Sequence, residues 1–584
     1  MRPIIDPRAG DIEDDASSTK SRSLLSLAGS LLGEINLPKL ILAWTLLVVL
    51  PALALGLAPV VAAAWLQTVW GKILAPFARL WTMAALAAVL ALGWFAGGAL
   101  FRLAESSFWS LNSLTVAPGY ATCREALRHL AERLLPAHAS QAQVDRVRAL
   151  TAALAGVLVS CVGLAVLAIA WPHSQWAARW QDLTYLPRLA RMGIANSVVL
   201  VGAYLAAAAF IWGIDDASMA QPHDVARFPT RFAGERVWRI AHLSDVHVVG
   251  ERFGFRIESG RSGPRGNERW IEVLEALDAI CEDEALDMVL VTGDATDAGR
   301  STEWAEFFDA LGRHPRVAER LLLLPGNHDL NIVDRANPAR LDLPTSPNPL
   351  LRQLRTLSAM EAIQGHRVRV VDRERRCLGF TLSEAIAPHQ AAMAEFADSR
   401  PRRFSRGLKD LWAGVFPMVQ PPPCRDGLGI LLLNSNADTH FSFTNALGMV
   451  AREQLRGVEI AIAEYPRASW LIALHHHLVE YPGRAEEFSE RIGTALINGN
   501  WLIRRMQPLA GRAIFLHGHR HIDWIGECAG LPIVSAPSPV MECGGIPYFY
   551  IHSLAAGAGG LALLAPERVA LHGEPVSRVP LLQG

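Results

Sequence analysis

A chain of 584 residues is too long for one compact core, so two or more domains are expected. Its net charge of −1 gives no electrostatic footprint for nucleic acid, and 51% hydrophobic residues is high for a wholly soluble protein. The seven cysteines are odd in number, scattered and without Cys-x-x-Cys spacing, which argues against a disulfide frame or thiolate zinc site and for free thiols in a reducing compartment.

Residues 1–38, Asp-rich from Asp11 to Asp15, lack the pattern of a cleavable signal peptide and are expected in the cytoplasm. A membrane domain is expected over 39–214. No Asp, Glu, Lys or Arg occurs between Lys39 and Lys72, Arg79 and Arg102, Arg148 and Arg179, or Arg191 and Asp215. Each gap is long enough to cross a hydrocarbon core of about 30 Å as a helix. Four transmembrane helices are therefore predicted near 42–64, 80–101, 149–171 and 193–213, with Trp44, Trp65, Trp81, Trp94, Trp171 and Trp212 mostly near their ends as interfacial anchors. Arg102, Arg124, Arg128, Arg133, Arg146 and Arg148 crowd the second connection, which places it and both termini in the cytoplasm. The spans carry no internal charge, so they read as an anchor among membrane lipids and not as an ion pathway.

After a linker over 215–235, strand-like and helical runs alternate, as in an α/β layered domain over 236–570. Strands are predicted at Val237–Leu243, Met288–Val291, Leu321–Leu324, Gly429–Leu433, Trp470–Leu474 and Ala513–Leu516, with short β-like runs at Tyr548–Ile551 and Leu561–Leu564. Helices are predicted at Glu268–Cys281, Thr302–Leu311, Arg452–Glu464 and Ala485–Met506. Residues 331–428, rich in Pro and Arg with a helical stretch over Leu350–Ile363, read as an insertion near the mouth of the site, either a substrate cap or a surface decoration. Residues 571–584 form a C-terminal tail.

Five apolar runs end in groups able to hold a metal. In order they are Asp245-Val246-His247, Gly293-Asp294, Gly326-Asn327-His328-Asp329, His475-His476-His477 and Gly518-His519-Arg520-His521. Residues at i and i+2 of an extended segment share a side, so Asp245 with His247, and His519 with His521, are each able to share one site. Mixed carboxylate, imidazole and amide donors suit Mn, Fe or Zn ions.

These motifs resemble those of the calcineurin-like metallophosphoesterases, D-x-H, G-D, G-N-H-[DE], H and G-H-x-H, over roughly residues 236–555. The resemblance implies a four-layer αββα fold with a two-metal site of unknown ion identity, which would follow the N-terminal all-α transmembrane region read from the charge-free stretches. It implies that Asp245, His247 and His521 hold one ion, that Asn327, His475 and His519 hold the other, and that Asp294 bridges them. His476 competes with His475 for the fourth motif. By the same likeness His328 contacts substrate and assists the leaving group, and the Asp297 carboxylate orients that histidine. His242 and His517 read as packing or support, while Arg520 either binds phosphate or faces solvent.

Two cations neutralise the oxygens of a phosphoester and lower the pKa of a bound water, so a hydroxide is available near neutral pH to attack phosphorus in line with the leaving oxygen. Within the family, the paired histidines and Leu432-Leu433-Asn434-Ser435-Asn436 resemble the cyclic-nucleotide and glycerophosphodiester phosphodiesterase branch. The expected function is thus a membrane-anchored phosphodiesterase with a cytoplasmic catalytic domain. The alternatives are a hydrolase of a lipid-linked phosphoester or pyrophosphate, and a non-catalytic membrane sensor or scaffold.

Overall fold

In a computed structural model of the protein, residues 37–73, 117–230 and 236–580 are described with short interruptions, the longer ones at 178–184, 258–263, 334–339, 400–405, 484–495 and 572–577. The chain divides into two units, one mainly Leu37–Met219 and the other Ala220–Arg484 with Gly493–Gly584.

The first unit is helical: α1 Leu37–Trp44, α2 Leu50–Ile73, α3 Ala117–Leu134, α4 Gln141–Ala170 and α5 Leu186–Ala217. Among the described residues, Gln141–His173 and Leu186–Ala217 are the two helices long and apolar enough to cross a membrane, and they contain the stretches expected at 149–171 and 193–213. The stretch expected at 42–64 is divided between α1 and α2, and 80–101 lies outside the described residues. Small residues let α4 and α5 approach closely: a Cβ added at Gly156 meets the Cα of Gly213 at 2.7 Å. Burial in this unit is inverted. Arg148 donates to Glu132 at 2.8 Å and Tyr120 to Asp216 at 2.9 Å, all four side chains buried, while Leu150, Leu154, Val162, Leu164 and Ile169 are exposed.

The second unit is a mixed α/β domain with two sheets. In chain order it has β1 His223–Asp224, β2 Arg236–Leu243, α6 Glu268–Asp283, β3 Met288–Val291, α7 Ser301–Leu311, β4 Leu321–Leu323, α8 Asn348–Gln364, β5 Arg369–Asp372, β6 Cys377–Thr381 and β7 Met418–Gln420. There follow β8 Leu428–Leu432, α9 Arg452–Glu464, β9 Ser469–Ala473, α10 Gly499–Met506, β10 Ala513–His517, β11 Trp524–Cys528, β12 Leu531–Ser535, β13 Tyr548–Gly557, β14 Gly560–Leu563, β15 Glu567–Ala570 and β16 Arg578–Pro580. One sheet runs β1-β11-β12-β10-β9-β8-β7-β5-β6, and the other β16-β15-β13-β2-β3-β4 with β14 beside β13.

The strands that end in the metal motifs pair in parallel, β2, β3 and β4 in one sheet and β9 and β10 in the other, where β8 lies parallel beside β9. Every residue of β3, β4, β8, β9 and β10 is buried. Burial on both faces is why these strands read as unbroken apolar runs instead of alternating ones. A single apolar core takes Ile240, Leu290 and Leu322 from one sheet and Ile430, Leu471 and Ile514 from the other.

Three features depart from the sequence expectation. The long helix expected over Ala485–Met506 is helical only from Gly499 within the described residues, because the Asn498 side chain turns the chain by pairing with both the N–H and C=O of Val450 at 3.0 and 2.7 Å. The expected linker contributes β1, paired with β11. The segment expected as an insertion at 331–428, either a substrate cap or a surface decoration, contributes to the domain's core and sheet: α8 packs into the core through Leu350, Leu354, Leu357 and Met360, and β5, β6 and β7 extend a sheet. Its apolar spacing sets that outcome, since residues three and four apart on α8 form one buried face.

Leu322 lies at the centre of β4 with no exposed surface, so Leu322→Ala should destabilise the protein by about 3 kcal/mol, visible as a lower midpoint of thermal unfolding.

Candidate metal centre

The loops that follow β2, β3, β4, β9 and β10 bring the donors of the two sheets together. Asp245, His247 and His521 offer donor atoms within 4.8 Å of one another, and so do Asp294, His475 and His519. These are six of the seven expected ligands. The seventh, Asn327, presents Oδ1 3.0 Å from His475 Nε2, which places it at the second cluster.

Asp294 stands between the clusters. Its Oδ2 lies 3.7 Å from His247 Nε2 and 3.2 Å from His475 Nε2, while Oδ1 accepts from the His328 N–H at 2.8 Å. Asp245 Oδ1 lies 3.3 Å from His521 Nε2, and Oδ2 accepts from the His519 N–H at 2.9 Å. Across the second cluster, His519 Nδ1 is 3.1 Å from His475 Nε2.

Backbone conformation makes this convergence possible. Asp245, His247, Asp294, His519 and His521 have φ of 56°, 43°, 50°, 77° and 53°. The paired residues are thus not on extended backbone, as their i and i+2 spacing had suggested. Left-handed geometry costs an L-residue about 1 kcal/mol or more and persists where surrounding contacts fix it, commonly at functional sites. His519 and His521 accordingly turn to different clusters.

His475, not His476, faces the other donors. Its Nδ1 donates to the Thr292 carbonyl at 2.8 Å, which directs Nε2 toward Asn327 and Asp294. The His476 Nδ1 is instead engaged by Ser435 Oγ at 2.9 Å, and the same hydroxyl accepts from the N–H groups of His475 and His476 at 3.2 and 3.1 Å. Ser435 was not expected in the site; its signal was the polar Asn434-Ser435-Asn436 at the end of an apolar strand.

His328 and Asp297 are adjacent but paired differently from expectation. The His328 Nδ1 donates to the Asp297 main-chain carbonyl at 2.7 Å, since a carbonyl only accepts. The Asp297 carboxylate faces His247, with Oδ1 3.3 Å from Nδ1, and its Oδ2 accepts from the Ile257 N–H at 2.8 Å. The reason is the turn at 297–299, which points the carbonyl and side chain of Asp297 at different rings. Asp329 supplies a second lock missed in the sequence. Its carboxylate accepts from Thr296 N at 2.9 Å, Thr296 Oγ1 at 2.6 Å and Gly326 N at 2.9 Å, tying the β3 and β4 loops together.

Electrostatics fit cations at both clusters. Burial opposes ionisation of Asp294, yet His475 and His328 outweigh it and hold its pKa at about 2. Burial, reinforced by the His476 and His475 rings, keeps His519 well below the ordinary histidine range, in the neutral form that ligates metals. Asp245 Oδ1, His247 Nε2 and His519 Nε2 are buried without hydrogen-bond partners, a costly arrangement for polar atoms unless something else satisfies them. Arg520 points to Glu480 at 3.5 Å and sits over the Tyr481 ring at 5.3 Å. His242 makes a 3.0 Å contact with Thr292 Oγ1, and His517 is fully buried, both as supporting residues would be.

Residues 239–378 match the calcineurin-like phosphoesterase family, a segment that carries the first three motifs. Solved structures that match include a dimetal phosphatase from Danio rerio, at 10% identity over 58% of this chain and 99% of that one with a TM-score of 0.32. A purple acid phosphatase from yellow lupin (Lupinus luteus) seeds matches at 11% identity over 60% of this chain and 54% of that one, with a TM-score of 0.26. No curated protein matches the chain. The protein is a metal-dependent phosphoester hydrolase that works with two metal ions, and its likeness to the calcineurin-like phosphoesterases spans residues 239–378 of the α/β unit.

Gly326 sits where a Cβ would lie 2.0 Å from Asp294 Oδ1 and 2.1 Å from its backbone nitrogen. Gly326→Ala should therefore displace Asp294 and lower metal-dependent activity by about 100-fold while the protein still folds, checked by turnover at saturating metal beside circular dichroism.

Proposed function

We propose that the protein is a membrane-anchored phosphodiesterase acting on a small phosphodiester of the cyclic-nucleotide or glycerophosphodiester type. The observation that carries this reading is the side-by-side placement of two donor clusters facing one Asp294 oxygen, with His328 beside them. Asp245, His247 and His521 would hold one ion and Asn327, His475 and His519 the other, with Asp294 shared; Mn, Fe and Zn all suit these donors. When bound, the ions supply charge neutralisation at the phosphoryl oxygens and a more acidic water.

The protein's own residues supply the rest. Asp294 and the Thr292 carbonyl orient His475, and Asp297 holds His247. The Asp297 carbonyl fixes the proton of His328 on Nδ1, which sets the ring for a role at the leaving oxygen. A diester is favoured over a monoester because Arg520, the arginine between two ligands, is turned to Glu480 and Tyr481. A dianionic monoester gains most from an added guanidinium, whereas a diester carries a single negative charge.

The flanking helices support an anchor in a cell membrane. In the helical unit charged pairs lie inside and leucine, valine and isoleucine side chains lie outside, which suits apolar surroundings. The four-layer αββα arrangement, the cytoplasmic position of the domain and a multi-span topology belong to the same reading. That inverted burial also favours, as a second reading, a lipid-linked phosphoester or pyrophosphate as substrate. A non-catalytic sensor is disfavoured by the closeness of the donor atoms in two groups, with Asn327 Oδ1 3.0 Å from His475 Nε2.

The test is hydrolysis of bis-p-nitrophenyl phosphate against p-nitrophenyl phosphate by detergent-solubilised protein, with chelator and with added Mn²⁺. Diester cleavage that needs metal and falls at least about 100-fold in Asn327→Ala and His519→Ala is expected. Preference for the monoester would move the assignment to a phosphatase. Independently, the protein should stay in the pellet when membranes are washed with alkaline carbonate, and its release into the supernatant would remove the anchor.

A further inference from the structure

We propose that α8 is a positioning element for catalysis, with Arg352 and Arg355 holding the β3 and β4 loops of the metal centre in register. The inference rests on the phosphoesterase reading above, and on His328 acting at the leaving group. Arg352, Arg355 and Thr356 are spaced three and four residues apart, so they share one face of the helix, and all three are buried. Each reaches main chain in a loop that carries a site residue. Arg355 NH1 donates to the Gly299 carbonyl at 2.8 Å, Arg352 Nε to the Leu330 carbonyl at 2.7 Å, and Thr356 Oγ1 to the Asp329 carbonyl at 3.3 Å. Arg352 is itself held by Asp342. About two helix turns later, Gln364 pairs with both the N–H and the C=O of Leu323 at 2.7 and 3.0 Å, so the same helix also fixes β4.

The two loops meet between these anchors. Gly299 has φ of +68° and a Cβ there would lie 2.5 Å from the Asp329 carbonyl oxygen, so the chains touch at that point. Asp297, whose carbonyl fixes His328, is two residues before Gly299, and His328 is two residues before Leu330. His328 therefore lies between the points that Arg355 and Arg352 grip. A buried guanidinium is costly where an apolar side chain would pack, and here each one donates to a loop carbonyl. If the grip on Gly299 is lost, the Asp297 carbonyl and the His328 ring are free to drift, and a shift near 1 Å is enough to slow the reaction by about 100-fold. Of the metal donors only His247 leans on Asp297, whereas His475 is anchored through Thr292 and Ser435 and the Gly326 turn through Asp329, so metal binding should persist.

The experiment compares Arg355→Met, which keeps the stem and loses the donors, with Arg355→Lys and His328→Ala on a series of aryl phosphodiesters of rising leaving-group pKa, with metal content measured on each protein. The expected result for Arg355→Met is two retained metals, KM within about threefold, kcat lower by about 100-fold, and a steeper dependence on leaving-group pKa in the direction of His328→Ala, with most activity returned by Arg355→Lys. Unchanged kcat, a loss with the same slope as the parent, or loss that tracks lost metal would each overturn the proposal. Arg355→Gln, a donor too short to reach Gly299, replaces the Met variant if that one does not fold. A parent-like slope in His328→Ala would instead sink the assignment of His328, and the role of α8 would then be decided by kcat at constant metal content.

Discussion

Everything in the catalytic unit depends on bringing imidazoles from two separate sheets to one carboxylate oxygen. Asp294 Oδ2, at the end of β3, lies 3.7 Å from His247 after β2 and 3.2 Å from His475 after β9, which belongs to the other sheet. No single strand or hairpin can do this, because neighbouring side chains on one strand alternate in direction and the sheets are covalently remote. The structure meets the constraint with two parallel sets of strands that end at one place, where open α/β sheets present their ligands.

That convergence carries a local cost. Five site residues adopt left-handed backbone, and buried carboxylates and imidazoles sit with atoms that have no hydrogen-bond partner. Burial of whole strands such as Leu321–Leu323 and Met288–Val291 offsets it, at roughly 1.5–3 kcal/mol for each large apolar side chain. Side chains then fix the loops in detail. Asp329 ties the β3 loop to the β4 loop, Ser435 holds the two histidines after β9, and the Thr292 carbonyl aims His475. The result is a donor set whose members are locked before any ligand arrives, which is what preorganised catalysis requires.

The helical unit solves a different problem with the same chemistry. Its charged side chains pair with one another in the interior, as Arg148 does with Glu132, and its glycines allow α4 and α5 to touch. Apolar side chains face outward along both long helices. The proposed reading as a membrane anchor joins this pattern to a hydrolase domain that is complete in its own donors.

The sequence by itself determined the strands and the chemistry they carry. Unbroken apolar runs located Met288–Val291 to the residue and the strands at 236–243, 321–323, 428–432, 469–473 and 513–517 to within a residue, because burial on both faces leaves no alternation to blur, while the parallel strand Leu531–Ser535 was not read. Each run ended in a polar motif, so the five metal-holding groups were legible from residue type and order, and the resemblance of those motifs to a known family singled out Asp245, His247, Asp294, Asn327, His475, His519 and His521 as the donor set. Only the tertiary structure decided which atoms face which. It turned the Asp297 carboxylate to His247 and gave His328 the carbonyl, chose His475 over His476, and sent His519 and His521 to different clusters. It also made α8, in a stretch that read as an insertion, the support of two loops. The physical reason is that backbone torsions and contacts between segments far apart in the chain set these outcomes, and neither is encoded in the local periodicity of apolar and polar residues.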